Sequence, residues 1–165
     1  MDYLFSPWRY RYISGQHAAT GEPGSCVLCA KLVEHDDVNN LILFRGQENA
    51  VILNLFPYTS GHLMILPLAH VARLAECSMA ARTELMELAT RAEDALQQEY
   101  RPDGINLGMN LGSAAGAGIA GHLHLHVLPR WIADANFMTV IGETRVLPEV
   151  LSRSYERLQP YFQKS

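Results

Sequence analysis

Short apolar runs separated by turn-forming residues dominate the first half of the chain. Three such runs cover residues 41–44, 50–55 and 62–66. Between them lie Arg45-Gly46-Gln47 and residues 57–61, and the second connection is rich in the proline, glycine and hydroxyl residues typical of turns. Runs of this length with short connections predict three antiparallel strands joined as a meander.

A longer segment with a different period begins after Ser78. Its apolar residues recur at intervals of three and four, with glutamate and arginine between them, until Pro102 and Gly104 end the pattern. This spacing predicts a long amphipathic helix, for which Ser78 is a suitable N-cap. The apolar face consists of Leu85, Leu88, Ala89, Ala92 and Leu96.

Two further runs complete the predicted sheet. Residues 105–111 form the fourth strand, residues 112–121 form a glycine-rich loop, and the fifth strand starts with three alternating histidines, His122, His124 and His126. Side chains alternate between the two faces of a strand, so one face carries three imidazoles. We therefore expect an α+β fold, with a five-stranded antiparallel sheet, one long amphipathic helix and terminal helices.

Length and composition are those of one globular domain. The chain has 165 residues, of which 48% are hydrophobic and 18% are charged, so we expect a single domain over residues 1–165. We divide it into an N-terminal arm (1–25), a core (26–131) and a C-terminal extension (132–165). In the extension, Pro148 can occupy the first turn of a terminal helix.

Charge and hydropathy exclude several classes of function. The net charge of -4 and the pI near 5.9 argue against binding to a nucleic-acid polymer, which needs a basic surface. No run approaches the roughly 20 apolar residues of a membrane span, and the first residues do not resemble a signal peptide. We expect a cytoplasmic protein without membrane contact. Its three cysteines are an odd number, which disfavours a disulfide framework.

The histidine triplet indicates chemistry. Crowding three titratable rings on one face gives no benefit to folding, because buried polar rings without partners cost a few kcal/mol each. Two readings remain from the residues alone. The three rings bind a catalytic metal that activates water, or one neutral imidazole attacks phosphorus while its neighbours hold its tautomer and the phosphate oxygens.

The residues around the triplet resemble the histidine triad family. His122, His124, His126, Val127 and Leu128 match its His-x-His-x-His motif with two following apolar residues, position for position. The resemblance covers residues 41–131. Its other matching features, in chain order, are Asn54, Gly61-His62 and Asn110 with Gly112 and Ser113.

This resemblance implies a nucleotidyl hydrolase or transferase. It assigns His124 as the nucleophile that attacks the α-phosphorus, His126 as a hydrogen-bond donor to phosphate oxygens, and His62 as a further histidine near the phosphates. Prearranged N–H donors stabilise charge that builds on phosphate oxygens, and a glycine-rich loop can supply them. The implied nucleotide-binding and phosphate-binding residues are Asn54, Asn110, Gly112, Ser113, Gly116 and Gly118.

Cys26 and Cys29 form a C-x-x-C pair, a spacing typical of zinc ligands. The family resemblance implies that His70 and His122 complete a structural zinc site. A redox-active pair, two unpaired buried cysteines, or His35 as a substitute ligand are the alternatives. We expect no organic cofactor.

The C-terminal extension, together with Pro129-Arg130-Trp131 before it, resembles that of the bacterial diadenosine tetraphosphate phosphorylase or ATP adenylyltransferase branch. The alternative is a helix that only covers one end of the sheet. The implied substrate is a dinucleoside polyphosphate of the diadenosine tetraphosphate type. Many family hydrolases have a Gly-Gln pair before the triad, where this chain has Gly116-Ala117-Gly118, which leaves room for inorganic phosphate. The acceptor can be phosphate or water. Two alternative functions also stay open, namely a purine nucleoside phosphoramidate or nucleotide hydrolase and a non-catalytic nucleotide-binding module. The family usually forms homodimers.

Overall fold

A five-stranded antiparallel sheet organises the chain in the computed structural model, which describes residues 26–135, 139, 141–142 and 149–163. The strand order is β1-β2-β3-β5-β4, so β4 lies at one edge. The predicted N-terminal arm and Pro148 lie outside the described residues. The strands are β1 (Ile42–Arg45), β2 (Asn49–Leu53), β3 (Leu63–Pro67), β4 (Gly104–Met109) and β5 (Leu125–Arg130).

The helices surround this sheet. Two short helices, to which the sequence pattern assigned no position, precede β1, and the long helix and a C-terminal helix are present as expected. No helix of the described part has both the length and the apolar character needed to cross a bilayer. The helices are α1 (Val27–Val33), α2 (Asp37–Asn40), α3 (Met79–Tyr100) and α4 (Leu151–Gln163), with 3-10 turns at Leu74–Glu76 and Ser113–Ala115.

Helix α3 forms as the sequence predicts. The Ser78 hydroxyl accepts a hydrogen bond from the Ala81 N–H at 2.9 Å, which satisfies an N–H group that has no partner within the helix. The helix ends at Arg101, which adopts a left-handed conformation with φ 47°. All five residues of the predicted apolar face are buried. They pack with α4 against alternate residues of the central strands, including Leu53, Ile65 and Val127.

The opposite face of the sheet carries the histidines. Ile52, Met64 and Leu66 alternate with the residues that contact α3, and they pack instead against Cys26 and Leu28 at the start of the described chain. Met64 lies opposite His126 in the β3–β5 ladder. The sheet therefore separates an apolar core under α3 and α4 from a face that carries titratable side chains.

The start of β5 differs from the prediction. The strand begins at Leu125 rather than at His122, because the Leu123 N–H donates to the Val71 carbonyl at 2.7 Å and so leaves the ladder. Pro67, at the end of the neighbouring β3, has no N–H with which to continue the pairing. Strands β2 and β4 likewise end two residues earlier than predicted, at Leu53 and Met109.

Candidate active site and metal centre

Cys26, Cys29, His70 and His122 come together at one end of the histidine-bearing face, and we call these four residues the Cys/His cluster. The ligand atoms of all four lie within 4.8 Å of one another. The Sγ atom of Cys29 is 3.2 Å from Nδ1 of His70 and 3.4 Å from Nδ1 of His122. The Sγ atom of Cys26 is 3.5 Å from the same His122 nitrogen.

The donor set of this cluster fits zinc. Ligand atoms around a tetrahedral zinc ion lie roughly 3.3–3.8 Å apart, and two thiolates with two imidazoles are a common structural set. The other ring nitrogen of His122, Nε2, donates to the carbonyl of Pro67 at 2.9 Å. This bond places the proton on Nε2 and leaves a lone pair on Nδ1 toward the thiols, as in metal-binding histidines whose second nitrogen is anchored by a carbonyl.

The pKa of one of the two thiols is shifted from its ordinary value. Burial, followed by the hydrogen bond and charge of Cys26, raises the pKa of Cys29 to about 11. Without a nearby positive charge this thiol stays protonated at neutral pH, whereas a bound metal ion stabilises the thiolate. Among the described residues this is the group whose ligand atoms approach as a metal site requires. His35 is exposed and is not part of it.

His62, His124 and His126 form a second group, which we call the imidazole group. The Nδ1–H of His124 donates to the carbonyl of its neighbour His122 at 2.8 Å. Burial lowers the pKa of His124 below its ordinary value, against the opposing effect of that backbone hydrogen bond. The ring is therefore neutral at pH 7, with its proton held on Nδ1 and a lone pair on Nε2.

A relay of hydrogen bonds fixes the other two rings. The N–H of Tyr58 donates to Nδ1 of His62 at 3.1 Å, so Nδ1 accepts and the ring proton is on Nε2. That nitrogen lies 2.9 Å from Nδ1 of His126 and donates to it. His126 consequently carries its own proton on Nε2. Burial, with a smaller effect of His124, lowers the pKa of His126 to about 4, which keeps the ring neutral.

Asn54 supports this relay from the end of β2. Its side-chain amide nitrogen lies 3.3 Å from Nδ1 of His62, and its Oδ1 accepts from the N–H of Phe56 at 3.0 Å. The Asn54 side chain is buried. Its geometry thus shows a contact with the histidines, and the expected contact with nucleotide stays a prediction.

Tyr58 is a site residue that the sequence pattern did not identify. Its ring centroid lies 4.7 Å from that of His62 and 5.9 Å from that of His126. The residue lies within the predicted turn 57–61, where no periodicity distinguishes a side chain that faces a site. Only the return of the chain from Asn54 to His62, closed by the Asn54 N–H and the His62 carbonyl at 2.9 Å, brings Tyr58 over the two rings.

The family of the chain follows from these residues together with a sequence match. The HIT domain family model matches residues 36–131, which is more than half of the chain. The chain belongs to the HIT family. The match includes Asn54, Asn110 and all three triad histidines, whereas Cys26 and Cys29 precede it.

Several individual proteins are also similar to this HIT protein. The AP-4-A phosphorylase of Mycobacterium tuberculosis is 37% identical over 152 residues, which cover 90% of this chain and 77% of that protein. The asymmetrical bis(5'-nucleosyl)-tetraphosphatase of Schizosaccharomyces pombe is 27% identical over 97 residues, covering 59% and 53%. A Zn-bound histidine triad family protein from Mycobacterium smegmatis has a similar crystal structure, with TM-score 0.68, 25% identity, and coverage of 86% and 95%.

The glycine-rich loop of this HIT domain is folded partly on itself. Gly112 and Gly116 have positive φ angles of 83° and 85°. The N–H groups of Ala115 and Ala117 donate to the Gly112 carbonyl, and that of Gly116 donates to the Ser113 carbonyl. Three N–H groups of the loop thus have partners within it, and one of them belongs to Gly116, a predicted phosphate-binding residue. Binding by the loop would rely on other groups, such as those of Ser113 and Gly118.

Asn110 directly follows the last residue of β4. Met109 pairs with Leu125, so Asn110 lies at the level of His124 in the sheet. Its position beside the candidate nucleophile is compatible with a contact to phosphate or ribose, which stays a prediction.

Proposed function

We propose that this chain cleaves dinucleoside polyphosphates of the diadenosine tetraphosphate type through a covalent nucleotidyl intermediate on His124. The observation that carries the proposal is the fixed tautomer of His124, since its Nδ1–H is bonded to the His122 carbonyl and leaves Nε2 as a neutral nucleophile. An imidazole of this kind needs no further activation near pH 7. The 37% identity with an AP-4-A phosphorylase supports the substrate class.

The proposed reaction has two displacements. In the first, the Nε2 lone pair of His124 attacks the α-phosphorus, a P–N bond forms, and the P–O bond to the leaving nucleotide breaks with its electron pair on that oxygen. The Nε2–H of His126, set by His62, donates to a phosphate oxygen as charge builds there. In the second displacement, an acceptor oxygen attacks phosphorus and the P–N bond returns its electrons to His124.

We propose inorganic phosphate as the acceptor in the second displacement. Support comes from the phosphorylase relative and from the segment Gly116-Ala117-Gly118, which has no glutamine where many family hydrolases carry a Gly-Gln pair. Gly118 itself departs from the phosphorylase branch, which commonly has a hydroxyl residue near this position. Water is the alternative, and the tetraphosphatase relative keeps it in the test below.

The test is turnover of diadenosine tetraphosphate with and without inorganic phosphate. ADP and ATP formed only with phosphate support the phosphorylase, whereas AMP and ATP formed in its absence show a hydrolase and overturn the choice of acceptor. Absence of turnover under both conditions contradicts the proposal. Cleavage of a nucleoside phosphoramidate alone, or binding of nucleotide without reaction, would then identify the alternative function.

We propose that the Cys/His cluster holds a structural zinc ion. The donor spacing and the Pro67 anchor on His122 support this, as does the Zn-bound relative of similar fold. Zinc there would link the beginning of α1 to residues 70 and 122 and so hold the chain just before the nucleophile. Metal analysis of the purified protein should give about one zinc ion per chain, and chelation should lower thermal stability.

We further propose a homodimer formed through β4. This strand lies at the edge of the sheet, and Leu107 on it is 44% exposed. An unpaired strand edge with apolar side chains can pair with a second copy. Sedimentation equilibrium of the wild type should give twice the chain mass of 18.4 kDa, and Leu107→Lys should shift the protein toward the monomer.

A further inference from the structure

The C-terminal helix joins the end of α3 through a partly buried ion pair network. Arg157 of α4 lies 2.6 Å from the Glu99 carboxylate and 2.8 Å from the Glu149 carboxylate. It also donates to the Glu99 carbonyl at 3.1 Å. The hydrogen bond from Arg157, against burial, lowers the pKa of Glu99, so both carboxylates keep their charge at neutral pH. We call Glu99, Tyr100, Glu149 and Arg157 the α3–α4 cluster.

Tyr100 makes two contacts in this cluster, one through its hydroxyl and one through the face of its ring. Its hydroxyl donates to the Glu149 carboxylate at 2.7 Å, and the Arg157 guanidinium carbon lies 4.4 Å from its ring centroid. A cation over the face of a tyrosine is attracted by the ring. Two charged groups, one of them on α4, therefore contact this side chain, and the Trp131 ring packs edge-on against it with centroids 6.3 Å apart.

The Tyr100 ring rests directly on the backbone of Gly61. A Cβ atom added to Gly61 would lie 2.8 Å from Cε2 of Tyr100 and 3.2 Å from its Cζ. Gly61 also has φ +75°, a conformation that other residues rarely adopt. Both facts require glycine at this position. They also bring an aromatic ring of the α3–α4 cluster into contact with the residue directly before His62.

We propose that Arg157 and Glu149 are positioning residues for His62, acting through Tyr100 and Gly61. The inference rests on the proposed role of His62 in orienting His126. If the Tyr100 ring shifts, the Gly61 backbone loses its support, and His62 moves with it. The hydrogen bond of 2.9 Å between His62 and His126 then lengthens. Nδ1 of His126 then no longer accepts the hydrogen bond from His62 that keeps the His126 proton on Nε2.

The first test compares two methionine substitutions on the same helix. Arg157→Met removes the guanidinium and keeps the apolar stem. Arg153→Met is the matched control, because Arg153 pairs with Glu156 on the solvent side of α4 with both side chains more than 60% exposed. We expect Arg157→Met to lower kcat about tenfold with KM changed less than about twofold, as a displaced catalytic group does. Arg153→Met should leave both constants unchanged.

A second pair of variants does not remove a charge and so guards against loss of folding. Tyr100→Phe removes the hydroxyl bonded to Glu149 but keeps the ring. Tyr161→Phe removes a hydroxyl that donates to the Glu99 carboxylate at 2.9 Å, in the same network. We expect a lower kcat for Tyr100→Phe and an unchanged kcat for Tyr161→Phe, although each variant loses one hydrogen bond to a glutamate.

A spectroscopic readout separates this inference from the proposed function. Nitrogen NMR of the imidazoles should show His62 and His126 each protonated on Nε2 in the wild type, and a mixture of tautomers for His126 in Arg157→Met. This measurement needs no substrate, so it is decisive even if the wild type does not turn over diadenosine tetraphosphate. Unchanged imidazole signals in folded Arg157→Met, or equal kcat losses in Tyr100→Phe and Tyr161→Phe, would overturn the inference.

Discussion

The Cys/His cluster and the imidazole group use histidines from one short motif, yet they fix them by different means. In the cluster, His122 faces two thiols and is anchored by the Pro67 carbonyl. In the imidazole group, His124 is fixed by a backbone carbonyl and His126 by another imidazole. Both arrangements decide which ring nitrogen carries the proton. The first leaves a lone pair on Nδ1 of His122 toward the thiols, and the second leaves a lone pair on Nε2 of His124 near the ring of His126.

This difference predicts that stability and activity can be separated. A change in the imidazole group should reduce catalysis and leave folding largely intact, since its rings contact one another and, under the proposed function, the substrate. A change in the Cys/His cluster should reduce stability first, because it connects segments far apart in the chain. The predictions below test this separation, from the largest expected effect to the smallest.

The first prediction concerns the nucleophile. His124→Ala should lower turnover of diadenosine tetraphosphate by at least about a thousandfold, because no covalent intermediate can form. Intact mass spectrometry of the wild type, quenched early, should show one added nucleotidyl group that the variant lacks. His35→Ala, an exposed histidine outside both groups, is the control. Retained turnover in His124→Ala would contradict the assignment.

The second prediction concerns the Cys/His cluster. The double variant Cys26→Ser and Cys29→Ser should lose zinc and about 3 kcal/mol or more of unfolding free energy, because metal binding contributes directly to folding. Urea unfolding with metal analysis measures both quantities. Cys77→Ala is the control, since Cys77 is buried outside the cluster. This variant should bind zinc as the wild type does. A double variant with wild-type metal content would show that the cluster is not the metal centre.

The third prediction concerns the relay in the imidazole group. His62→Ala should lower kcat about 10- to 100-fold, because His126 loses the partner that sets its tautomer. His62→Gln keeps an N–H donor at a similar distance and should lose less. The thermal unfolding midpoints of both variants should lie closer to that of the wild type than the midpoint of the cysteine double variant does. Equal losses in the two variants would show that the hydrogen bond to His126 does not matter for the rate.

The fourth prediction concerns pH and stability. Burial lowers the pKa of His126 to about 4, whereas an unfolded histidine has a pKa near about 6.5. Between these values the unfolded chain binds more protons than the folded one, so stability falls as pH decreases from about 6.5 toward about 4. His126 should account for about 1 kcal/mol of the loss between about pH 7.5 and 5.5.

Urea titrations of the wild type and His126→Gln at these two pH values measure that share. The wild type should lose more unfolding free energy on acidification than the variant. An equal loss in the two proteins would show that His126 titrates normally in the folded state. The comparison uses differences between variants, so titrating groups distant from His126 cancel.

Much of the fold could be predicted because the spacing of apolar residues along the chain indicates which segments form strands and which form helices. The strands and the long helix were predicted from alternation and from three- and four-residue spacing, and Ser78 caps α3 as expected. The short helices α1 and α2 had too few turns to show a helical period. The start of β5 was placed three residues early, since alternation continues through His122 although the ladder does not. The single domain over all 165 residues and the cytoplasmic location stay predictions.

The candidate site divides in a similar way. The motif identified the histidines and cysteines as groups that carry chemistry, and the structure brings the four proposed zinc ligands together. The loop of residues 112–118 could be located but not the direction of its N–H groups, because its internal hydrogen bonds depend on the conformations of Gly112 and Gly116. Tyr58 and the Pro67 carbonyl could not be foreseen, since each acts through a fold-dependent contact.

The sequence by itself determined the secondary structure pattern, the family, and the set of side chains able to act as ligands or nucleophiles. These properties follow from residue type and local spacing. The tertiary structure decided which nitrogen of His62, His122 and His126 holds the proton, because that depends on partners such as Pro67, Tyr58 and His62, which are distant in the chain or held by its turns. The same holds for the contact of Tyr100 with Gly61. The tautomer of His124 is the exception, since it is set by the carbonyl of His122 two residues away.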